Sequence, residues 1–240
     1  MRSILILAPL AMLAACGGGS GGNSSAPAAP VEGAAPPAGQ QWSQVVSETP
    51  EGGYRMGNPS APVKLVEYGS RTCPACGAFA REGFEPLTKL VETGKVSFEF
   101  RDFLIHGAPD VASAVLGRCA GTGAFFPLLE QMYANQAATL DKLQAAPPEF
   151  QTRVQNLPPA QQVAAIAEQA GYIDFVKQRG IPEDKARQCL ADMNTVQKLV
   201  GVTEKATEVQ GTPTFIINGE KAEGAVSWSQ VEAALKKAGA

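Results

Sequence analysis

Two cysteines separated by two residues form the part of the sequence best suited to chemistry. Cys73 and Cys76 enclose Pro74 and Ala75, and the group closely follows the apolar run 63–68, VKLVEY. Thiols at positions i and i+3 can close a small disulfide, supply half of a metal site, or remain inert in a core. The predicted elements around Cys73 and Cys76, and the positions of the other cysteines, distinguish these three alternatives.

The two cysteines lie where a strand gives way to a helix. The run 63–68 predicts a buried strand, because it is rich in β-branched and aromatic residues and ends at Gly69. Pro74 suits the first helical position, where its missing N–H group would have had no intrahelical partner. The apolar residues that follow recur with helical spacing: Cys76, Phe79, Ala80, Phe84, Leu87, Leu90 and Val91.

A second strand is predicted beyond this helix. Pro86 is expected to kink the helix, since it cannot bond back to Glu82, and Gly94 ends it. Val96–Asp102 alternates between apolar and polar residues, which is typical of a strand. The order strand, helix, strand predicts a right-handed crossover between two parallel strands.

A thiol attacks a disulfide only as the thiolate. The N-terminus of a helix lowers the pKa of a thiol through its unpaired N–H groups and the positive end of the helix dipole. Cys73 has this position, and Cys76 follows one turn later on the side that faces the core. The sequence therefore predicts disulfide exchange, with Cys73 as the exposed nucleophile and Cys76 as the shielded resolving thiol. An inert structural Cys73–Cys76 disulfide is the alternative.

The remaining potential ligands do not support a metal site. Structural zinc needs a second pair of ligands at short spacing. Cys119 and Cys189 are isolated from each other, and His106, the only histidine, lies near neither. No metal and no cofactor are therefore expected. A single histidine also argues against Ser–His and Cys–His catalytic arrangements.

The N-terminus has the pattern of an export signal. Met1 and Arg2 make a short basic start, and residues 4–15 form an uncharged apolar run that is too short to span a bilayer. The run ends in LAAC, with Cys16 as its last residue, which resembles a bacterial lipobox. Residues 1–15 are thus expected to be a lipoprotein signal peptide, with Cys16 lipidated. An ordinary signal peptide with an incidental cysteine is the alternative.

Composition divides the rest of the chain in two. Residues 16–40 are dominated by Gly, Ser, Ala and Pro and are expected to be a disordered tether. Residues 41–240 are long enough for one domain with a substantial core. The formal net charge is −3 without a basic stripe, so nucleic acid is not an expected partner. Apart from Cys16 there are four cysteines, and an even number in an exported chain fits two disulfides.

The second half of the chain is predicted to be helical and then to return to strands. Strand character resumes at residues 214–217, and Asn218-Gly219 is a hairpin turn signal that should lead to a strand near residues 221–225. A last helix starts at Ser227, with Gln230 completing a capping box. Five helical segments are predicted before these strands: Pro109–Cys119, Phe125–Leu143, Pro159–Ala170, Tyr172–Arg179 and Glu183–Glu208.

The strand and the cysteine pair together are similar to a known family. VEYGSRTCPAC at residues 66–76, with GTPTF at residues 211–215, resembles the DsbA-like thiol–disulfide oxidoreductases of the thioredoxin superfamily. The likeness is closest to the alphaproteobacterial and BdbD-like branch, and it extends from about Tyr54 to the C-terminus. It implies an α/β thioredoxin fold with a helical insertion of about 100 residues, near 109–208, between the second and third core strands.

The resemblance also implies roles for individual residues. Pro213 would be a cis-proline facing the active disulfide, and Thr212 would offer backbone hydrogen bonds to an extended substrate, near Pro74 and Ala75. Glu67 would be a buried acid that relays the proton of Cys76, whereas on its own it could equally lie on an exposed strand face. The alphaproteobacterial branch implies a second disulfide between Cys119 and Cys189, and two free buried thiols are the alternative.

One residue departs from the family pattern. The enterobacterial dipeptide between the cysteines is Pro-His, but here it is Pro74-Ala75, so no imidazole in the motif can stabilise the thiolate of Cys73. His106 is expected to be a loop residue after the second strand. Arg71 and Thr72 are assigned nothing beyond local packing.

The family resemblance favours one function over two others. The leading hypothesis is a lipid-anchored periplasmic oxidase, expected to be a monomer, that passes its disulfide to reduced exported proteins. A DsbB-like or VKOR-like membrane protein would reoxidise it, and Gly17 slightly favours the outer membrane. A reductase or isomerase of the same fold is the second hypothesis. A lipoprotein that binds Cu(I) through its thiols is the third, although the clustered Met or His usual in such sites is missing.

Overall fold

The computed structural model of the chain describes residues 28–240. The predicted signal peptide, Cys16 and the first part of the predicted tether lie outside the described residues. Residues 28–40 contain neither helix nor strand, but they contact the rest of the domain. The N–H group of Val31 donates to the carbonyl oxygen of Gly239, and the Val31 side chain packs against the core. This part of the expected disordered tether is therefore attached to the C-terminus.

The described residues form one mixed sheet and ten α-helices. The strands are β1 (Val46–Glu48), β2 (Tyr54–Gly57), β3 (Val63–Gly69), β4 (Val96–Asp102), β5 (Thr214–Ile217) and β6 (Glu220–Lys221). The helices are α1 (Pro74–Glu92), α2 (Ala108–Cys119), α3 (Phe125–Ala134), α4 (Gln136–Gln144), α5 (Pro148–Gln155), α6 (Pro159–Gln169), α7 (Tyr172–Lys177), α8 (Glu183–Ala191), α9 (Met193–Lys205) and α10 (Trp228–Lys237). The strand order in the sheet is β1-β2-β4-β3-β5-β6.

The predicted strand–helix–strand unit forms the centre of the sheet. β3 and β4 are parallel, with Val63 opposite Val96 and Glu67 opposite Phe100. β5 pairs antiparallel with the other side of β3, and β6 pairs antiparallel with β5. The predicted α/β fold is confirmed, with the helices α2–α9 inserted between β4 and β5.

Helix α1 packs its apolar stripe on this sheet. Of the seven residues predicted to face the core, six are buried and Leu90 is half-buried. Pro86 lies within α1, which continues to Glu92, so the proline does not end the helix. The aromatic rings of Phe125 and Phe126 in α3 join the same core, and thus the inserted helices and the sheet share a common interior.

Several element boundaries differ from the predictions. The segment predicted as one helix over 125–143 is divided between α3 and α4, and that over 183–208 is divided between α8 and α9. Helix α5 was not predicted, nor were the strands β1 and β2. No single helix within residues 28–240 is long and apolar enough to cross a membrane, although α2 with Thr122–Ala134 could do so as a sharply bent pair.

The C-terminal hairpin and helix follow the predicted pattern closely. Asn218 and Gly219 both have positive φ angles, 52° and 88°, as a type I′ turn requires. The return strand β6 is shorter than predicted. At the start of α10, the side chains of Ser227 and Gln230 form the predicted capping box, and Val231 and Leu235 are fully buried.

Candidate active site

Cys73 lies at the junction between strand and helix that the sequence predicts. It is the N-cap residue of α1, with extended backbone angles, and Pro74 is the first helical residue. Cys73 was expected to be exposed, but only 8% of its surface is accessible, compared with 0% for Cys76. The expectation of an open thiol was therefore wrong, because the loop before β5 covers it. The Sγ atom of Cys73 lies 3.2 Å from the carbonyl oxygen of Thr212.

The surroundings of Cys73 favour its thiolate. Both thiols are free in the structure. The thiol of Cys76 donates a hydrogen bond to the Cys73 sulfur, and this contact does most to lower the pKa of Cys73, to about 5. Burial opposes the effect, while the Thr212 hydroxyl and the backbone N–H groups of Cys76 and Ala75 add to it. Cys73 is thus largely ionised at neutral pH.

The pKa of Cys76 moves in the opposite direction. Burial raises it well above its ordinary value, and the hydrogen bond given to Cys73 and the charges of Glu67 and Cys73 raise it further. A proton on Cys76 is therefore retained when Cys73 is ionised. One thiol of the pair is a good nucleophile and leaving group, and the other stays protonated.

Glu67 is buried beneath the two thiols. It is 0% exposed, and in the sheet it stands between Phe100 and Phe215. Neither carboxyl oxygen has a hydrogen-bond partner among residues 28–240. Burial, with a contribution from the charge of Cys73, raises the pKa of Glu67 to about 8. A carboxyl group with such a pKa can hold or release a proton near neutral pH.

The segment 211–213 covers the thiols from the opposite side. The peptide bond between Thr212 and Pro213 is cis. A small cavity of about 250 Å³ is lined by residues 211–215 and 221–226, among them the exposed Val226. Pro74 and Ala75 are exposed at the start of α1. Together these groups form an accessible surface next to Cys73.

Arg71 does much more than pack locally. Its guanidinium group is fully buried between the rings of Phe100 and Phe125 and donates to Asp102 at 2.9 Å. Asp102 also accepts from Arg118 in α2. Burial acts to raise the pKa of Asp102, but the two guanidinium groups hold it below its ordinary value. No local pattern around Arg71 predicts its burial, because its partner Asp102 is 31 residues away.

Gln136 in α4 also belongs to this site, although no sequence pattern predicts it. Its buried side-chain amide donates to the carbonyl oxygens of Arg71 and Cys73, at 3.0 Å and 2.8 Å. A Cβ atom at Gly77 would overlap the Gln136 side chain, so the glycine makes room for this contact. A glycine inside a predicted amphipathic helix was the one available signal.

Four polar residues beside the site form a hydrogen-bonded cluster. Ser70 and Thr72 donate to the buried carboxylate of Asp110, and Thr72 also bonds to His106. His106 lies in the predicted loop between β4 and α2, and Asp110 is in the first turn of α2. The spacing of His106 and Asp110 by four residues was the only hint in the sequence.

Two further cysteines lie in the helical insertion. Cys119 at the end of α2 and Cys189 in α8 form a disulfide bond, with their Cα atoms 6.0 Å apart. Within the part of the chain that the structure describes, no three His, Cys, Asp or Glu side chains are grouped as metal ligands.

Comparison with known proteins identifies the family. Residues 49–237 match the family model for thioredoxin. A relative from Rickettsia bellii, provisionally named a protein-disulfide oxidoreductase, is 27% identical over 76% of this chain. The chain spans only 63% of that relative's length, and 60% of a similar relative from Rickettsia prowazekii.

Solved structures show the same fold. A structure from Novosphingobium aromaticivorans, described as a protein-disulfide isomerase, has 29% identity and a TM-score of 0.72, and the match covers 75% of this chain and 94% of the other. The oxidised BdbD of Bacillus subtilis has 18% identity and a TM-score of 0.55, covering 77% and 91%. The fold and the buried dithiol define a member of the thioredoxin superfamily with DsbA-like neighbours. The chain belongs to the thioredoxin family.

Proposed function

We propose that the protein is a thiol–disulfide oxidoreductase that works as an oxidase and donates its Cys73–Cys76 disulfide to other proteins. The observation that carries the proposal is the opposite pKa shift of the two thiols, low for Cys73 and high for Cys76. A Cys73 thiolate that is stabilised by its hydrogen bonds stabilises the reduced protein relative to the disulfide. A couple with a stable reduced form is an oxidant.

The exchange proceeds in two steps in which electrons and protons balance. A substrate thiolate attacks the Sγ atom of Cys73 in the disulfide, and Cys76 leaves with the electron pair and takes up a proton. A second substrate thiolate then attacks the substrate sulfur of the mixed disulfide and releases Cys73 as a thiolate. The substrate loses two electrons and the protein gains them. The low pKa of Cys73 makes it the better leaving group in this second step.

Glu67 has a suitable position for the proton in the first step. Its charge contributes to the raised pKa of Cys76, so the two groups interact directly. With a pKa of about 8, Glu67 is mostly protonated at neutral pH and can supply the proton that the Cys76 thiolate needs. We assign it the role of proton donor to Cys76.

The surface around the thiols fits an extended polypeptide as the substrate. The cavity beside Pro213 is bordered by the apolar Val226 and by backbone of the segment 211–213. The carbonyl oxygen of Thr212 lies 3.2 Å from the Sγ atom of Cys73 and can pair with a peptide laid across it. Reduced exported proteins are the proposed substrates, and a DsbB-like or VKOR-like membrane protein is the proposed reoxidant.

The N-terminal sequence supports a periplasmic location with a lipid anchor on Cys16. The support is the apolar run 4–15 and the lipobox-like LAAC at residues 13–16. Mass spectrometry of the mature protein is expected to find Cys16 as an acylated N-terminal residue. Detection of an unmodified Cys16 inside a longer secreted chain would remove the anchor from the proposal.

An isomerase or reductase is the second candidate, favoured by the Novosphingobium structure, which is described as an isomerase. Equilibration with glutathione buffers measures the reduction potential of the Cys73–Cys76 pair, which distinguishes an oxidase from a reductase. We expect a reduction potential of about −150 to −200 mV, above that of thioredoxin at about −270 mV. We also expect the protein to oxidise reduced ribonuclease faster than it reduces insulin. A potential at or below that of thioredoxin, with insulin reduction dominant, would favour the reductase.

A further inference from the structure

The residues that lead into Cys73 form a closed turn. The N–H group of Cys73 donates to the carbonyl oxygen of Ser70 at 3.2 Å, which makes Ser70–Cys73 a four-residue turn. The same carbonyl accepts from the hydroxyl of Tyr133, and the N–H group of Thr72 donates to the Ser70 hydroxyl. Rotation of this turn would move the Cys73 sulfur relative to the groups that stabilise it.

The carboxylate of Asp110, in the helical insertion, is hydrogen-bonded to two residues of this turn. The Oδ1 atom of Asp110 accepts from the hydroxyls of Ser70 and Thr72, at 2.7 Å and 2.6 Å. Its Oδ2 atom accepts from the N–H group of His106 at 2.8 Å. Asp110 is only 2% exposed, so these bonds are shielded from water and are worth more than surface contacts.

The directions of these hydrogen bonds indicate which ring nitrogen of His106 carries a proton. Ser70 and Thr72 each have one hydroxyl proton, and both donate it to Asp110. The Thr72 hydroxyl oxygen can therefore only accept from the Nδ1 atom of His106, which lies 2.9 Å away. Nδ1 therefore carries the proton, and the His106 side chain is about half exposed.

We propose that His106 and Asp110 are positioning residues that act through the Thr72 hydroxyl to hold the Ser70–Cys73 turn, and so set the reactivity of Cys73. The proposal rests on the proposed exchange function and deepens it. According to this proposal, helix α2 and the loop before it influence the reactivity of Cys73. Within residues 28–240, Asp110 is the one charged side chain that lies within 4.0 Å of the His106 ring as an ion pair.

The test compares four variants with a matched control. Thr72→Val removes the hydroxyl at nearly constant shape, and Thr72→Ser restores it. His106→Asn keeps an N–H group near the position of Nδ1 but cannot be protonated, whereas His106→Leu removes the donor. The control, Thr203→Val, deletes a hydroxyl that accepts from Leu104 in the same loop but away from Cys73. The readouts are the pH dependence of alkylation of Cys73 and the reduction potential of the folded protein.

We expect Thr72→Val and His106→Leu to slow alkylation of Cys73 at pH 4, below its pKa of about 5, by about threefold to tenfold, which corresponds to the loss of roughly one hydrogen bond. The potential should fall with it. Thr72→Ser, His106→Asn and Thr203→Val should stay close to the wild type. If Thr72→Val does not fold, the two variants at the surface residue His106 still decide the matter.

Two outcomes would overturn the proposal. Wild-type alkylation and potential in both Thr72→Val and His106→Leu would show that the turn needs neither contact. Equal losses in His106→Asn and His106→Leu would show that the imidazole charge acts instead of its hydrogen bond. A failure of the oxidase assignment is separate, since it would be seen in ribonuclease oxidation by the wild-type protein while the variants still changed Cys73.

Discussion

The Sγ atom of Cys73 lies 3.2 Å from the carbonyl oxygen of Thr212, to which it donates a hydrogen bond when protonated, although 139 residues separate the two in the chain. The contact joins the helix N-terminus, which lowers the pKa of the thiol, to the segment 211–213, where we propose that the substrate binds. The Thr212 hydroxyl is also buried at this point and helps to lower the pKa of Cys73. The nucleophile is thus shielded from solvent but open to a chain laid across this segment.

Cys73 is expected to be the one thiol of the pair that is alkylated at pH 7 in the reduced protein. Its pKa of about 5 makes it a thiolate, whereas the raised pKa of Cys76 keeps that thiol protonated. Peptide mapping after a short exposure to iodoacetamide checks the result. The alkylation rate should fall only when the pH is lowered toward 5. Labelling of Cys76 before Cys73 would reverse the assignment.

The same shift predicts how the stability of the reduced form depends on pH. The folded pKa of Cys73 is depressed below that of a free thiol, so its contribution is present above the unfolded pKa of about 8.5 and is lost as the pH falls toward 5. Denaturant unfolding of the reduced and oxidised forms should therefore show a difference that shrinks between these two pH values. A constant difference would contradict the low pKa.

Glu67→Gln is expected to stabilise the protein at neutral and alkaline pH. The folded pKa of Glu67 is raised to about 8, so its favourable contribution is complete below the unfolded pKa and is lost as the pH rises through 8. The gain over the wild type should be small at pH 4 and on the order of 2–3 kcal/mol at pH 7. Guanidinium unfolding at the two pH values checks it.

Glu82→Gln, on the exposed side of α1, is the matched control and should have little effect at either pH. The Glu67 variant should also slow reduction of the disulfide, if the carboxyl group supplies the proton to Cys76. A stability gain of equal size at both pH values would show that Glu67 does not titrate in this window.

Ala75→His is expected to raise the reduction potential and lower the pKa of Cys73 together. Ala75 is exposed in the first turn of α1, so the larger side chain can be accommodated beside the thiolate. A positive ring there should stabilise the thiolate by about 1–2 kcal/mol, and each kcal/mol corresponds to roughly 20 mV. Equilibration with glutathione measures the change, and Ala75→Gln controls for size. Unchanged values would show that this position does not set the potential.

Removal of the second disulfide should weaken the fold without abolishing exchange. Cys119 and Cys189 close a loop of 70 residues, which the chain-entropy account values at about 4 kcal/mol. Changing both cysteines to alanine is expected to lower the free energy of unfolding by about this amount, measured by denaturant unfolding, while Cys73 can still be alkylated. We further expect the bond to resist mild dithiothreitol that opens Cys73–Cys76. Free thiols at both positions in protein from an oxidising compartment would refute its structural role.

Residues close together in the chain were enough to predict the central strand–helix–strand unit and its reactive cysteines. The periodicity change at Cys73, the Asn218-Gly219 turn and the capping box at Ser227 depend on residues close together in the chain, and each is seen in the structure. The helices broke at Asn135 and Asp192, which the apolar pattern did not separate. Local patterns thus predict elements well, but they predict the breaks between adjoining helices poorly.

The groups that surround the thiols come from residues far apart in the chain and could not be predicted from local patterns. The short strands β1 and β2 form because β2 pairs with β4, a contact that no local pattern encodes. Asp102, Asp110 and Gln136 reach the segment before Cys73 from 31, 38 and 63 or more residues away. Burial turns Glu67 from an ordinary carboxylate into a group that titrates near neutral pH. Desolvation and long-range hydrogen bonds depend on the packed fold, so the motif specifies the reactive atoms and the fold specifies their protonation.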